Sequence, residues 1–287
     1  MTYNHLITRR KSLSFCLGAP LLVTQTPLLT ACSQQNSSTQ NDGFSFGSKA
    51  AAPIKEGVYT ETHLRLPHVK HSPGYKAPKG RFPVKSFKFD GKARHYHAYK
   101  ASSPRSILLL LHGSNRNGAS LIEKWQSLAN RHRILLIAPD SLAKQGWSSR
   151  NDSIAFMQAL IKHAKSAYRV GDVPLYGFGH SAGAIMMTRL SMRTGDMFTR
   201  IAVHAGYISP REAMLSQQIR TAKPPLLHIL GTKDHIFNVQ AAKASAETLA
   251  RYGQDVTLMT ARDHNHWYYD QAPHINKKAW VFLTAKS

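Results

Sequence analysis

The residues best suited to chemistry in this sequence are a serine between two glycines, an aspartate and two histidines. The segment 179–183 reads Gly-His-Ser-Ala-Gly, with Ser181 at its centre, and it follows the apolar run Val173–Phe178. A tight strand–serine–helix turn of this kind lifts the serine hydroxyl above a sheet. A glycine-rich turn without catalysis is the alternative. The helical pattern that begins at Ala182 favours a nucleophilic serine.

A serine hydroxyl is a weak nucleophile, so it needs a base, and the base needs a carboxylate to orient it. Proteins with this turn place these residues in the chain order serine, acid, histidine. Asp234 lies just past the apolar segment Leu226–Leu230, in Gly231-Thr232-Lys233-Asp234, so we predict that it is the acid; its alternative role is to cap the next helix. His264 and His266 follow the last apolar segment.

We predict that His266 is the base, because its longer lead-in lets the ring reach back over Ser181, and His264 is the alternative. A metal-binding His-x-His pair is a further alternative. We expect the backbone N–H groups of Ser114 and Ala182 to form the oxyanion hole, with Gly113 allowing a close approach. The alternative for this segment is an ordinary turn at the end of a strand.

Aromatic side chains near the ends of the apolar segments are candidates for binding substrate. Trp147 and Trp267 are the two that we predict to contact it. For each single aromatic residue, ordinary packing is an equally good interpretation. The wider set of candidates is Trp147, Tyr207, Phe237, Trp267 and Tyr268.

Alternation of apolar strand patterns with helical patterns predicts an α/β fold, with a mostly parallel sheet covered by helices on both faces. An antiparallel hairpin that turns at Asp90-Gly91 precedes it. The predicted strands after the hairpin are 107–111, 134–138, 173–178, 201–204, 226–230 and 256–260, and the predicted helices are 119–131, 152–168, 182–194, 238–252 and 273–286.

The first 31 residues have the features of a signal peptide: Arg9, Arg10 and Lys11 precede an interrupted apolar stretch. The arginine pair resembles a twin-arginine export signal in part, and the general secretory route stays open. Residues 29–32, Leu-Thr-Ala-Cys, resemble a bacterial lipobox, which implies lipidation at Cys32 and a place in the cell envelope. Residues 32–52 would be a flexible tether, and residues 53–287 one catalytic domain.

Composition limits the possible partners. The sequence is 42% hydrophobic, which is enough for a large core, and its 38 Lys and Arg against 15 Asp and Glu give a formal charge of +23. This charge fits affinity for anionic surfaces or simply a solvated basic exterior. The basic residues form no dense run, so we expect no nucleic-acid partner. We predict no metal or other cofactor, an ester substrate that includes polymeric ones, and a membrane contact through Cys32.

Several motifs fall in an order that resembles one group of enzymes. His112-Gly113-Ser114, the segment 179–183, Gly231–Asp234 and His264–Trp267 are similar to the poly(3-hydroxybutyrate) depolymerase and feruloyl esterase group of α/β-hydrolases. The resemblance implies hydrolysis of carboxylic esters through an acyl-enzyme, on polyesters, aryl esters or acetyl esters. His180 replaces a common leucine of that pattern. A serine peptidase or lipase of the same fold, and a non-catalytic envelope-binding lipoprotein, remain alternatives.

Overall fold

A computed structural model describes residues 54–285 of the chain, apart from residues 71, 73, 78 and 220. The predicted signal peptide, Cys32 and the whole of the predicted tether lie outside the described residues. Within the part of the chain that is described, no helix is both long enough and apolar enough to span a bilayer.

The described residues contain nine strands, which join in one sheet in the order β1-β9-β8-β7-β6-β4-β5-β3-β2. β2 and β3 form an antiparallel hairpin at one edge, β3 runs antiparallel to β5, and the other neighbouring strands are parallel. The strands are β1 Tyr59–Arg65, β2 Lys85–Phe89, β3 Lys92–Lys100, β4 Ser106–Leu111, β5 Ile134–Pro139, β6 Leu175–His180, β7 Arg200–His204, β8 Leu226–Gly231 and β9 Val256–Arg262.

The described residues also contain six α-helices, and the five longer ones cover the two faces of this sheet. Side chains alternate along each strand, so Leu109 packs on one face and Leu110 on the other, both fully buried. One face packs against α2, α3 and α5, and the other against α1 and α6. The helices are α1 Gly118–His132, α2 Ile154–Tyr168, α3 Ala182–Arg193, α4 Pro210–Ala213, α5 Val239–Arg251 and α6 Ala272–Leu283.

The predicted hairpin, six strands and five longer helices are all present, with ends that differ by a few residues. The turn residues Asp90 and Gly91 both have positive φ, as a two-residue hairpin turn requires. The sequence prediction missed β1 and the short α4. β1 reads Tyr-Thr-Glu-Thr-His-Leu-Arg, a largely polar edge strand that pairs in parallel with β9 at the other end of the chain. The parallel strands direct their carboxyl ends toward one edge of the sheet, where ligands bind in such folds.

Candidate active site

Ser181 occupies a sharp turn between β6 and α3. Its φ of 55° and ψ of −120° are unusual for a residue with a side chain. Gly179 and Gly183 make this turn possible, because a Cβ on Gly179 would lie 2.3 Å from the carbonyl oxygen of Gly183. A Cβ on Gly183 would lie 1.9 Å from the carbonyl oxygen of Leu111. The strained turn therefore depends on both glycines of the predicted motif.

The loop after β4 approaches this turn closely. A Cβ on Gly113 would lie 3.2 Å from Cβ of Ser181, so a larger residue would crowd the serine. Buried His112 braces the loop: its Nδ1–H donates to the carbonyl of Gly113 at 2.8 Å, and its Nε2 accepts the N–H of Ser141 at 3.1 Å. Burial lowers the pKa of His112, so the ring stays neutral in this role.

The two predicted oxyanion donors flank the serine. Ala182 directly follows Ser181, and Ser114 directly follows Gly113. Among the described residues, neither backbone N–H donates to another protein group, whereas the next amide, that of Asn115, donates to the carbonyl of Lys144 at 2.8 Å. The N–H groups of Ser114 and Ala182 are thus available to an oxygen atom placed beside Ser181.

His266 lies between Ser181 and Asp234. Its Nδ1 lies 3.0 Å from Oδ2 of Asp234, and its Nε2 lies 3.0 Å from Oγ of Ser181. The natural tautomer has Nδ1–H donating to the carboxylate and Nε2 accepting the serine hydroxyl. The structure therefore brings Ser181, His266 and Asp234 together, and of the two candidate histidines it places His266, not His264, against the serine.

Asp234 is held as a carboxylate by several hydrogen bonds. Its side chain is fully buried, and burial by itself would raise its pKa. The hydrogen bond from His266 and those from the backbone N–H groups of Ile236 and Phe237, at 2.8 and 2.9 Å, outweigh burial and lower the pKa below its ordinary value. Asp234 therefore carries a negative charge at neutral pH, facing the ring that it orients.

His264 belongs to a separate row of three imidazoles, which we call the histidine row: His180, His204 and His264. Nδ1 of His180 lies 3.1 Å from Nδ1 of His204, and Nε2 of His204 lies 2.9 Å from Nε2 of His264. All three are buried. Burial lowers the pKa of His180 to about 3, that of His264 to about 4, and that of His204 well below its ordinary value. The histidine row is therefore neutral and lies beside His266, whose ring centre is 5.5 Å from that of His180.

A cleft of about 340 Å³ opens over Ser181. Trp267 lines it, as predicted, and so does Phe237. The prediction did not include Arg116, Tyr269 and Ile185, which line it too.

Trp147 does not line this cleft. Its indole N–H donates to the carbonyl of His112 at 2.8 Å, so it supports the loop that follows β4. Tyr268 is fully buried and donates its hydroxyl to Asn276 at 2.6 Å, which makes it a packing residue. Tyr207 packs edge-on against Phe237, with ring centres 5.4 Å apart. Of the five aromatic candidates, Trp267 and Phe237 are the ones that line the cleft.

Metal binding is a further interpretation of His264 and His266. Among the described residues, no group of three or more His, Cys, Asp and Glu side chains is arranged to hold a metal ion. The hydrogen bonds of His264 and His266 run instead to His204 and to the serine and aspartate.

Comparisons with known proteins agree with the fold. The model of the phospholipase/carboxylesterase family matches residues 146–272, the segment that contains Ser181, Asp234 and His266. No curated protein matches the sequence significantly.

Similar solved structures include three hydrolases. One is the esterase PE8, with a TM-score of 0.53 and 19% identity over 63% of this chain and 97% of that chain. A second is the fluorophosphonate-binding serine hydrolase FphF of Staphylococcus aureus, with a TM-score of 0.54 and 14% identity over 73% of this chain and 100% of that chain. A third is a soluble variant of monoglyceride lipase from Saccharomyces cerevisiae, with a TM-score of 0.56 and 11% identity over 74% of this chain and 98% of that chain. At these identities the likeness establishes the fold.

The sheet order and the strand–serine–helix turn are those of the α/β-hydrolase fold. With this fold, the match of residues 146–272 to the phospholipase/carboxylesterase family model indicates a carboxylic ester hydrolase. The narrower resemblance to poly(3-hydroxybutyrate) depolymerases and feruloyl esterases is not supported by these comparisons and stays a prediction.

Proposed function

We propose that the protein is a serine esterase that works through Ser181, His266 and Asp234 and forms an acyl-enzyme. The observation that carries the proposal is the continuous row of hydrogen bonds from Ser181 through His266 to Asp234, with both contacts of the imidazole at 3.0 Å. This arrangement supplies a nucleophile, a base within reach of its proton, and a carboxylate that fixes the ring.

In the first step, Oγ of Ser181 bonds to the ester carbonyl carbon while its proton passes to Nε2 of His266. The carbonyl oxygen becomes an oxyanion, which accepts hydrogen bonds from the N–H groups of Ser114 and Ala182. The intermediate then expels the alcohol, which takes the proton from His266. Water repeats the sequence on the acyl-enzyme, with His266 as base and then acid, and releases the carboxylic acid and Ser181. The carboxylate of Asp234 stabilises the imidazolium in both halves.

The cleft favours esters with a small or planar acyl or alcohol group. Its volume of about 340 Å³ lies at the small end of the range for ligand pockets, about 300–1,000 Å³. Phe237, Trp267 and Tyr269 give it aromatic walls. Aryl and acetyl esters fit this description, and so does the end of a polyester chain, which is the substrate type that the sequence resemblance implies.

Replacing the nucleophile tests the proposal. Hydrolysis of p-nitrophenyl butyrate should be measured for the wild type and for Ser181→Ala, with Ser166→Ala, an exposed serine on α2, as the matched control. We expect Ser181→Ala to lose at least about 10³-fold in kcat/KM with its circular dichroism spectrum unchanged. Activity within tenfold of the wild type would refute the role of Ser181.

We also propose that the mature protein is a lipoprotein of the cell envelope, anchored through Cys32. The Leu29–Cys32 segment and the basic residues before it support this. Because several acyl chains anchor stably, Cys32→Ser should move the protein from the membrane to the soluble fraction. A high-salt wash separates lipid anchoring from attraction of the basic protein to anionic lipid. Sedimentation of Cys32→Ser with washed membranes would contradict the anchor.

A further inference from the structure

A single arginine lies among the aromatic walls of the cleft. Arg116 follows the predicted oxyanion residue Ser114 by two positions, in the loop after β4. Its Nη1 donates to the carbonyl oxygen of Tyr75 at 2.6 Å. Its guanidinium carbon lies 5.2, 5.7 and 5.8 Å from the ring centres of Tyr269, Trp267 and Tyr75. These contacts hold the cation in place on the wall of the cleft that Ser181 also lines.

The charge of Arg116 has no carboxylate partner among the described residues, since none of their ion pairs includes it. Glu123, an acidic residue in contact with Tyr75, is engaged elsewhere: it accepts the hydroxyl of Tyr75 at 2.6 Å and pairs with Lys124 at 3.2 Å. A guanidinium has five N–H donors, and the contact with Tyr75 uses one nitrogen. The remaining donors are available to a ligand in the cleft.

We propose that Arg116 forms a subsite for a negatively charged group, so that the preferred substrate is an ester that also carries a carboxylate. This inference rests on the proposed esterase function and adds a substrate class to it. The planar fork of a guanidinium matches a carboxylate with two parallel hydrogen bonds. Aromatic walls strengthen this pairing because they keep water from the donors. The small cleft places the subsite and Ser181 within the span of one short substrate.

Two pairs of matched esters test the subsite and find which half of the ester faces it. The first pair places the charge in the acyl half: the p-nitrophenyl monoester of glutaric acid against p-nitrophenyl valerate. The second places it in the alcohol half: 4-carboxyphenyl butyrate against 4-carbamoylphenyl butyrate. We expect the wild type to prefer the anionic member of one pair by about tenfold or more in kcat/KM, mainly through KM.

The variant Arg116→Gln should bring this preference close to one, and Arg116→Lys should retain part of it, because lysine keeps the charge without the fork. Arg200→Gln is the matched control. It also removes one positive charge, and Arg200 also lies over an aromatic ring, that of Phe282 at 5.2 Å. Arg200 begins β7, at the amino end of the parallel strands, so it is remote from the cleft. The control should keep the full preference, which separates a local subsite from the general positive field.

Equal kcat/KM for the members of both pairs in the wild type would overturn the subsite, and so would an anionic preference that survives in Arg116→Gln. If Arg116→Gln does not fold, Arg116→Lys decides. A preference for the anionic ester that is lower in Arg116→Lys than in the wild type supports the subsite, and an unchanged preference refutes it. If the wild type hydrolyses the neutral esters as efficiently as the anionic ones, the subsite alone is refuted. If it hydrolyses none of the four esters, the esterase function is refuted.

Discussion

Two rows of hydrogen-bonded side chains lie next to each other beneath the cleft, and they differ in the groups that bond to their imidazoles. One row is Ser181–His266–Asp234, in which an imidazole has a buried carboxylate on one side and a partly exposed hydroxyl on the other. The other is the histidine row, His180–His204–His264, in which the described hydrogen bonds between side chains join imidazoles to one another. His264 and His266 enter these two rows from the same short loop.

The comparison shows that two histidines from the same loop can have different chemical roles. In the histidine row, burial opposes protonation and lowers the pKa values of all three rings; at His180 and His264 it outweighs the opposite effect of the Asp234 carboxylate. In the proposed mechanism, the carboxylate of Asp234 in the other row stabilises the imidazolium that forms on His266. A base must gain and lose a proton at each turnover, so the partner carboxylate and access to the cleft distinguish His266 from its three buried neighbours.

The largest effect is expected when His266, the central residue of the first row, is replaced. His266→Ala should lower kcat for an aryl ester by about 10³-fold or more, because Ser181 loses its proton acceptor. His264→Ala should lower kcat by no more than about tenfold. Its main effect should be a loss of about 1–3 kcal/mol in the free energy of unfolding, because Nε2 of buried His204 loses its partner. Steady-state kinetics and urea unfolding of both variants measure this; the reverse pattern would exchange the two roles.

The second-largest effect is expected when the negative charge of Asp234, which distinguishes the two rows, is removed. Asp234→Asn should lower kcat by about 10²- to 10⁴-fold, because a neutral amide neither stabilises the imidazolium nor enforces the Nδ1–H tautomer of His266. Asp172→Asn is the control, since Asp172 is fully exposed and pairs with Lys165. Single-turnover kinetics on one aryl ester compare the two. A loss smaller than tenfold in Asp234→Asn would mean that His266 works without the carboxylate.

The smallest effect concerns stability against acid. In the folded protein the pKa of His180 is about 3 and that of His264 about 4, against 6.5 for an ordinary histidine. Between about pH 6.5 and 4 the unfolded chain therefore binds protons that the folded protein does not, and the free energy of unfolding should fall as the pH falls. Each such histidine contributes at most about 1.4 kcal/mol per pH unit. The lowered pKa of Asp234 acts in the same direction at lower pH, below its ordinary 3.8.

Urea unfolding at pH 7.5, 6 and 5 checks this slope. His264→Gln should flatten it, because one buried titrating ring is removed. His274→Gln, at an exposed position on α6, is the matched control and should leave the slope as it is. Identical slopes for the wild type and His264→Gln would mean that the histidine row does not govern acid stability.

Much of the fold was predictable because the central strands are continuous apolar runs buried on both faces, as in β4 and β5. β1 was not predictable, since its residues are mostly polar and its partner β9 lies almost 200 residues away. The local motif and the chain order located Ser181, Asp234 and the two histidines. Loop length favoured His266, and the geometry of the site agrees with that choice.

The walls of the cleft were harder to predict. Tyr268 and Tyr269 are adjacent in sequence, yet Tyr268 enters the core and Tyr269 lines the cleft, which depends on the path of the loop after β9. Trp147 lies beyond the end of a strand, as the sequence indicated, but it bonds to the carbonyl of His112 and does not line the cleft. Arg116 could have been found, because it follows β4 on the loop that carries Ser114, at the edge where such sheets bind ligands.

Fluorophosphonate labelling followed by peptide mapping tests the central claim most directly, because it reports the activated nucleophile without any assumption about the substrate. The wild type, His264→Ala and His266→Ala should be treated with the same probe for the same time. We expect the wild type and His264→Ala to be modified at Ser181 alone, and His266→Ala to react at least about 10²-fold more slowly. Modification at another residue, or equal labelling rates for His266→Ala and the wild type, would contradict a serine esterase built on Ser181 and His266.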